Sequence, residues 1–365
     1  YEMQRSLVGS EMCIRDRIGT MINRIIKEEN VRRLHRLLAD ARKVAIICHV
    51  GPDGDAVGSS LALAHVLGTL GKEARCIIPD ATSALLMRLP EAKELVDACR
   101  HADFARTLLL DADLIFCLDF NEPRRVDRMA DTLLAAKAPK VMIDHHENPT
   151  DFATVAISHP EMAATCYLLF RVLCRLELLP YIDATAATQL LAGIMTDTGG
   201  FSYNCDDPEL YEVVAELMRH GADRPFLQKL LFNTVSENAM RLNAYAVDKK
   251  MEVYPDMGAA LITLSRAELN RYHYCKGDTE SLVNRPLAIP GVIYSCFMRE
   301  EEHYIKVSMR SQGDFPVNEI CAGHFGGGGH INAAGGEYHG TLEEAAEAFR
   351  NLMSENKHKY IKHNA

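Results

Sequence analysis

The sequence predicts an α/β protein: an N-terminal domain on a mostly parallel sheet, then a smaller α/β domain on a mixed sheet, with a cleft between them. Three observations carry that expectation. Short β-branched apolar runs alternate with helix-period segments through the first half of the chain, as βαβ units do. Several of those runs stop at Asp or His, where open α/β sheets place their ligands. Past residue 250 the texture changes to alternating strands, and a chain of 365 residues has room for two domains.

The first 17 residues, YEMQRSLVGSEMCIRDR, show no hydrophobic period and no signal-peptide core. LVGSEMCIRDR resembles translated adapter read-through, so the natural start is expected at Met21, with residues 1–20 a non-native or disordered tail. Residues 30–42 read as a helix with Val31, Leu34, Leu37 and Leu38 on one face. Residues 44–48 read as a strand ending at His49; Asp53 and Asp55 follow in a Gly/Pro turn, and a helix runs over 59–70 to Gly71. Residues 75–78 form a second strand stopped by Pro79, and 90–99 a charged helical piece. The third strand, 114–118, ends in Asp119; the fourth, 140–143, ends in Asp144, His145 and His146. Helices over 163–176 and 184–195 follow, the second running into Thr196-Asp197-Thr198-Gly199-Gly200.

Residues 208–248 are helical and connective, without a Gly/Ser-rich linker. The expected division is therefore a catalytic domain over 21–215, a helical connector over 216–250 and a second domain over 251–365. In the last, 259–263, 291–298 and 304–309 read as strands, and 326–329 is an unbroken glycine run before His330. A helix over 342–353 aligns Leu342, Ala345, Ala346, Phe349, Leu352 and Met353.

The net charge of −10 gives no general footprint for long nucleic acid, so a phosphate-bearing substrate should be small and gripped locally. Eleven cysteines contain no CxxC pair, the closest being Cys166 and Cys174, which fits a reducing, cytoplasmic compartment. No apolar run is long enough to span a bilayer. Nothing in the composition argues against a homodimer.

His49, Asp53, Asp55, Asp119, Asp144, His145, His146 and Asp197 come from four separate segments. Each group alone is ordinary turn or capping chemistry. Together, at the carboxyl edge of a parallel sheet, they converge, and converging carboxylates repel unless cations neutralise them. The set is too large for one ion and suits two divalent ions about 3.5–4 Å apart, the clamp of phosphoryl chemistry. Mixed His and carboxylate donors favour Mn²⁺, with Mg²⁺ or Co²⁺ as substitutes.

HVGPDGDAVGS, LDF, DHH and MTDTGGF, in that order, resemble the four motifs of the DHH phosphoesterase superfamily. VSMRS over 307–311 and FGGGGHINAAGG over 325–336 resemble its DHHA1 substrate-binding domain. The likeness covers about residues 31–360, and NRPLAIPGV over 284–292 is most similar to the oligoribonuclease and 3′-phosphoadenosine-5′-phosphate phosphatase branch, the nano-RNase type. The resemblance implies that His49 and Asp53 hold one ion, that Asp55, His145 and Asp197 hold the other, and that Asp119 bridges both. It implies that Asp144 orients His145, and that His146 contacts phosphate and assists proton transfer. No motif position departs from the family pattern.

For the second domain, glycine amides at Gly326, Gly327, Gly328 and Gly329 can approach an anion closely. Arg310 offers a planar fork and Ser311 and His330 further donors; His324 and Arg285 are weaker candidates, and a flexible hinge is the plain alternative for the glycines. The implied substrates are short RNA or DNA oligonucleotides, or a nucleoside bisphosphate. The competing readings are a RecJ-like single-strand exonuclease, a family II pyrophosphatase, a linear or cyclic dinucleotide phosphodiesterase, and a non-catalytic nucleotide-binding regulator, which would need a broken ligand set.

Overall fold

The computed structural model describes residues 25–355. The tail over 1–20 and the start at Met21 lie outside them. The chain divides into two compact units between Thr234 and Val235.

In the first unit, α1 (Glu28–Asp40) leads to β1 (Lys43–Ile47), α2 (Gly54–Thr69), β2 (Glu73–Ile78), β3 (Val96–Asp97), α3 (Ala102–Leu110) and β4 (Leu114–Leu118). Then come α4 (Ala130–Ala135), β5 (Lys140–Asp144), β6 (Val155–Ser158), α5 (Thr165–Arg175), α6 (Ala184–Asp197), α7 (Pro208–Arg219) and α8 (Arg224–Leu227). The strands pair in the order β3-β2-β1-β4-β5-β6, all parallel. Val44 and Ile46 pack into one core with Leu34, Leu61 and Leu67. Ala45 and Ile47 pack into another with Ala105, Leu109 and Leu133. Both faces of the sheet are covered, which is why its strands are apolar throughout rather than alternating. The strand order reverses at β1, so the carboxyl ends of β1 and β4 flank the crevice in which doubly wound sheets bind ligands.

Three elements differ from expectation. The charged stretch 90–99 is not a helix. It holds one 3₁₀ turn, Ala92–Glu94, entered through Glu91 in the left-handed region, and then β3. β3 exists because Ile77 and Ile78 offer it a free edge. β6, unforeseen, is short and closes the other edge, where the Asn30 side chain donates to Ala156 O at 3.0 Å. α2 begins at Gly54 rather than near residue 59, because Asp53 caps it, accepting from Asp55 N and Ala56 N.

The second unit holds α9 (Glu237–Lys249), β7 (Met251–Tyr254), β8 (Ala259–Leu264), α10 (Arg266–Arg271), β9 (Tyr294–Glu300) and β10 (Ile305–Ser311). It ends with α11 (Val317–His324), β11 (Gly328–His330), β12 (Ala333–Tyr338) and α12 (Leu342–Glu355). The sheet order is β11-β12-β10-β9-β8-β7, antiparallel except for the parallel pair β8–β9. α9 packs its Leu242 and Ala246 against Ile262, Leu264 and Phe297 of this unit's sheet. The glycine run is not a bare loop. Its second half is β11, paired with β12 through Gly328↔Gly335. A Cβ on Gly327 would lie 1.8 Å from Gly335 O, and one on Gly329 2.3 Å from Ala333 O, so close backbone approach demands glycine at both.

Among the described residues no helix is long and apolar enough to cross a membrane. The ten described cysteines are all free thiols.

Candidate metal centre

His49 follows β1 directly. Its Nδ1 lies 2.8 Å from Val50 O, and a carbonyl only accepts, so Nδ1 carries the proton. Nε2 is thereby turned toward Asp119 Oδ2 at 3.3 Å and Asp53 Oδ1 at 3.8 Å. The turn between β1 and α2 is held from outside by Asp80, which accepts from Gly51 N, and by Thr82, which donates to Pro52 O.

His145 follows β5 and is built the same way. Nδ1 donates to Met162 O at 3.0 Å. Nε2 faces Asp197 Oδ2 at 3.3 Å, Asp119 Oδ1 at 3.5 Å and Asp55 Oδ2 at 3.9 Å. Asp197 arrives on the last residue of α6 rather than on a strand. α6 runs close to α2 because Gly193 leaves room: a Cβ there would sit 2.5 Å from Asp55 Oδ1. Asp119 stands after β4 with φ of +64°, a left-handed conformation uncommon outside glycine and found where function stores strain. It lies between the two imidazoles, so ligand atoms of His49, Asp53 and Asp119 cluster, and those of Asp55, His145 and Asp197 form a second cluster beside them.

One expectation is corrected. Asp144 does not orient His145. Its Oδ1 accepts from His146 Nδ1 at 2.7 Å and its Oδ2 from His146 N at 3.0 Å. Successive residues point to opposite faces of a strand end, so Asp144 reaches the second histidine, and the Met162 carbonyl does the work on the first. Sequence reasoning also missed Thr165 and Cys166. Their backbone N–H groups donate to Asp55 Oδ2 at 2.5 Å and Oδ1 at 2.8 Å, and Thr165 Oγ1 donates to Asp119 Oδ1 at 2.9 Å. The sequence carries no signal for either, beyond an uncapped helix start.

The electrostatics show a site short of positive charge. Burial pushes Asp197 up to about 6, with Asp53 and Asp119 adding and His145 opposing. Burial likewise lifts Asp55, aided by Asp119 and Asp197. Asp119 is held well below the usual carboxylate range: burial opposes this, but the bond to His49 and the charges of His49, His146 and His145 prevail. Burial disfavours charged His49 and His145, yet their carboxylate neighbours raise both well above the ordinary imidazole value. None of Asp53, Asp55, Asp119 and Asp197 is paired with a Lys or Arg among the described residues. Two imidazole nitrogens turned toward four carboxylates, of which Asp55 and Asp119 are buried, Asp197 is half-buried and Asp53 is exposed, are a donor set that fits divalent cations.

In the second unit, Arg310 lies on β10 and donates to Met309 O at 3.0 Å. Ser311 is not a spare phosphate donor: it is buried, gives its proton to Phe315 O at 2.6 Å and accepts from Asn332 at 2.9 Å, holding the turn after β10. Gly327 N is also committed, to Cys321 O at 3.1 Å. A left-handed Gly326, an open Gly328 and a half-buried His330 remain as candidates. His324 is exposed at the end of α11, and Arg285 lies in the 3₁₀ segment Leu282–Ala288.

The sequence profile of the DHH family, N-terminal domain, matches residues 43–194, and that of the DHHA1 domain matches residues 269–357. The chain is 32% identical to the bifunctional oligoribonuclease and PAP phosphatase NrnA of Thermus thermophilus, covering 86% of this chain and 91% of that one. It is 27% identical to the cyclic-di-AMP phosphodiesterase GdpP of Geobacillus thermodenitrificans over 88% of this chain but only 48% of the relative. The crystal structure of an exopolyphosphatase-related protein from Bacteroides fragilis has a TM-score of 0.90 at 41% identity, covering 92% of this chain and 99% of that one.

Proposed function

Because this chain belongs to the DHH–DHHA1 phosphoesterase family, we propose that it hydrolyses short oligoribonucleotides to 5′-mononucleotides, and 3′-phosphoadenosine 5′-phosphate to AMP and phosphate. The observation that carries this reading is the convergence of His49, Asp53, Asp55, Asp119, His145 and Asp197, in a chain whose likeness to NrnA runs nearly end to end. Free thiols at all ten described cysteines support a cytoplasmic setting.

In the proposed site His49 and Asp53 would hold one divalent ion, Asp55, His145 and Asp197 the other, and Asp119 would serve both, with Mn²⁺ the expected metal. Such ions would supply the charge that neutralises the carboxylates, Lewis acidity toward the phosphoryl oxygens and a more acidic water. The protein's share is orientation. The Val50 and Met162 carbonyls keep each ligating imidazole in the Nδ1–H tautomer, with Nε2 facing the centre. Asp144 accepts from the His146 ring at Nδ1, leaving Nε2 to face the phosphoryl group; when the ring holds a second proton, on Nε2, it would pass that proton to the leaving oxygen and return to the neutral imidazole. Arg310, the backbone at Gly326 and Gly328 and the His330 ring are the proposed grip on a second phosphate or the adjoining nucleoside.

The likeness to GdpP favours a second reading, in which linear or cyclic dinucleotides are substrates. Hydrolysis of a 5-mer RNA, a long RNA, 3′-phosphoadenosine 5′-phosphate, cyclic di-AMP and pyrophosphate, each with Mn²⁺, separates these. The expected result is mononucleotide release from the 5-mer and phosphate release from the bisphosphate, with slow turnover of long RNA. Preferred turnover of cyclic di-AMP, of long RNA or of pyrophosphate would overturn the proposal.

A further inference from the structure

Thr165 lies outside the four motif segments, and it is fully buried. It opens α5, whose N-cap residue, Ala164, makes no side-chain cap. Asp55, from α2, caps α5 instead, taking the Thr165 and Cys166 amides on its two oxygens. The Thr165 hydroxyl meanwhile donates to Asp119 Oδ1 at 2.9 Å. One residue therefore touches two carboxylates that arrive from distant parts of the chain.

We propose that Thr165 is a positioning residue: its hydroxyl sets the rotation of the Asp119 carboxylate and thereby the affinity of the site for its divalent cations. The proposal rests on the metal-site reading above. Asp119 needs such a restraint. Its backbone is in the left-handed region, and a carboxylate is free to turn about its last torsion, which has a broad, roughly two-fold profile. With Oδ1 held by Thr165, Oδ2 is directed to the His49 side of the centre, 3.3 Å from Nε2. Without the hydroxyl, Oδ1 loses its restraint, the carboxylate turns about that last torsion, and a shared ligand is no longer presented to both halves. Hydrogen bonds that orient ligands in this way typically govern metal affinity by about 10–100-fold.

Thr165→Val replaces the hydroxyl by a methyl group of similar size and keeps both backbone donors to Asp55. Thr165→Ser keeps the hydroxyl and drops the methyl. The test is calorimetric titration of chelator-stripped, full-length wild type and both variants with MnCl₂, beside steady-state kinetics on a 5-mer RNA at saturating Mn²⁺. Thr165→Val should bind Mn²⁺ about tenfold or more weakly and lose kcat, with KM for RNA changed by less than about twofold; Thr165→Ser should recover most of the affinity. Wild-type affinity in Thr165→Val, or Thr165→Ser as weak as Thr165→Val, would overturn the proposal, the second outcome pointing to packing alone. Thr165→Ala stands in if Thr165→Val does not fold, judged by circular dichroism of the metal-free proteins, and the same two outcomes apply to it. A wild type that binds no Mn²⁺, Mg²⁺ or Co²⁺ would instead sink the metal-site reading itself.

Discussion

Asp119 serves both sides of the centre through two oxygens. Oδ2 faces His49, while Oδ1 faces His145 and accepts from Thr165. No neighbour can replace it, because Asp53 and Asp55 stand on opposite sides in separate clusters. Asp119→Ala should lower kcat by about a hundredfold or more, with Mn²⁺ titration showing the loss of at least one tight site; a variant retaining wild-type rate would refute the shared-ligand assignment. Asp144 gives a sharper test, since its partner is not the one the motif resemblance implied. Asp144→Asn has one oxygen where His146 now uses two, so the ring loses its orientation or its tautomer. kcat should fall about tenfold while Mn²⁺ affinity holds, because Met162 O and not Asp144 orients His145. A matching loss of affinity would return Asp144 to His145. The residues legible in the sequence were those whose chemistry is out of place at the end of an apolar strand, His49, Asp119 and the Asp144–His146 triplet, together with Asp53, Asp55 and Asp197 in the glycine-flanked motifs. Met162 and Thr165 were not legible. Every residue has a carbonyl and threonine is common, so only tertiary contact singles them out.

At the scale of elements, two glycines illustrate how much a local pattern hides. Gly54 was read as part of the Gly/Pro turn, and the predicted helix began only after Gly58. They are α2 residues pressed on α6, and a Cβ on Gly58 would meet Gln189 O at 2.5 Å. The same approach sets the spacing of the centre, because Gly193 on α6 backs Asp55. Gly193→Ala puts a Cβ 2.3 Å from Cys166 Sγ and 2.5 Å from Asp55 Oδ1. It should cost about 1–3 kcal/mol in urea melts and weaken Mn²⁺ binding as well; unchanged stability would mean that the helix pair shifts freely. β3 and β6 escaped notice because strands of two and four residues carry too little periodicity, and their existence depends on an open neighbouring edge. The second unit offers an element whose stability is set by pH. α10 begins with a capping box, Ser265 with Glu268, and Glu268 also binds Tyr245 and Lys250. Partial burial works against its charge, but these bonds dominate and draw its pKa from 4.5 down to about 2. A carboxylate depressed on folding stabilises above its unfolded value and loses that contribution as pH falls through its folded one. Thermal melts should therefore show Glu268→Gln below wild type at neutral pH, with the gap closing between pH 4.5 and about 2. A gap that persisted to pH 2 would trace the effect to shape rather than charge.

At the scale of the whole molecule, charge decides what length of substrate is tolerated. The chain carries −10, and from residue 250 onward it holds 12 Lys+Arg against 15 Asp+Glu. A polyanion held only at one cleavable phosphate and one neighbouring group gains little from counterion release, and its remaining phosphates meet an acidic surface. Counterion release from single strands gives a slope of about −0.7 per phosphate neutralised, so a two-phosphate grip predicts that KM for a 5-mer rises about sevenfold between 50 and 200 mM KCl. A track along all four internucleotide phosphates of the 5-mer would instead raise it about fiftyfold on the same slope. Arg310 is proposed to be one of the two grips, and its removal should act on binding alone. Arg310→Ala should raise KM, leave kcat within about twofold and flatten the salt slope by about 0.7. If KM and its salt dependence are both unchanged, Arg310 takes no part in holding the substrate. If wild-type KM climbs about fiftyfold, RNA is tracked along the surface, and the preference for short oligonucleotides has another origin than charge.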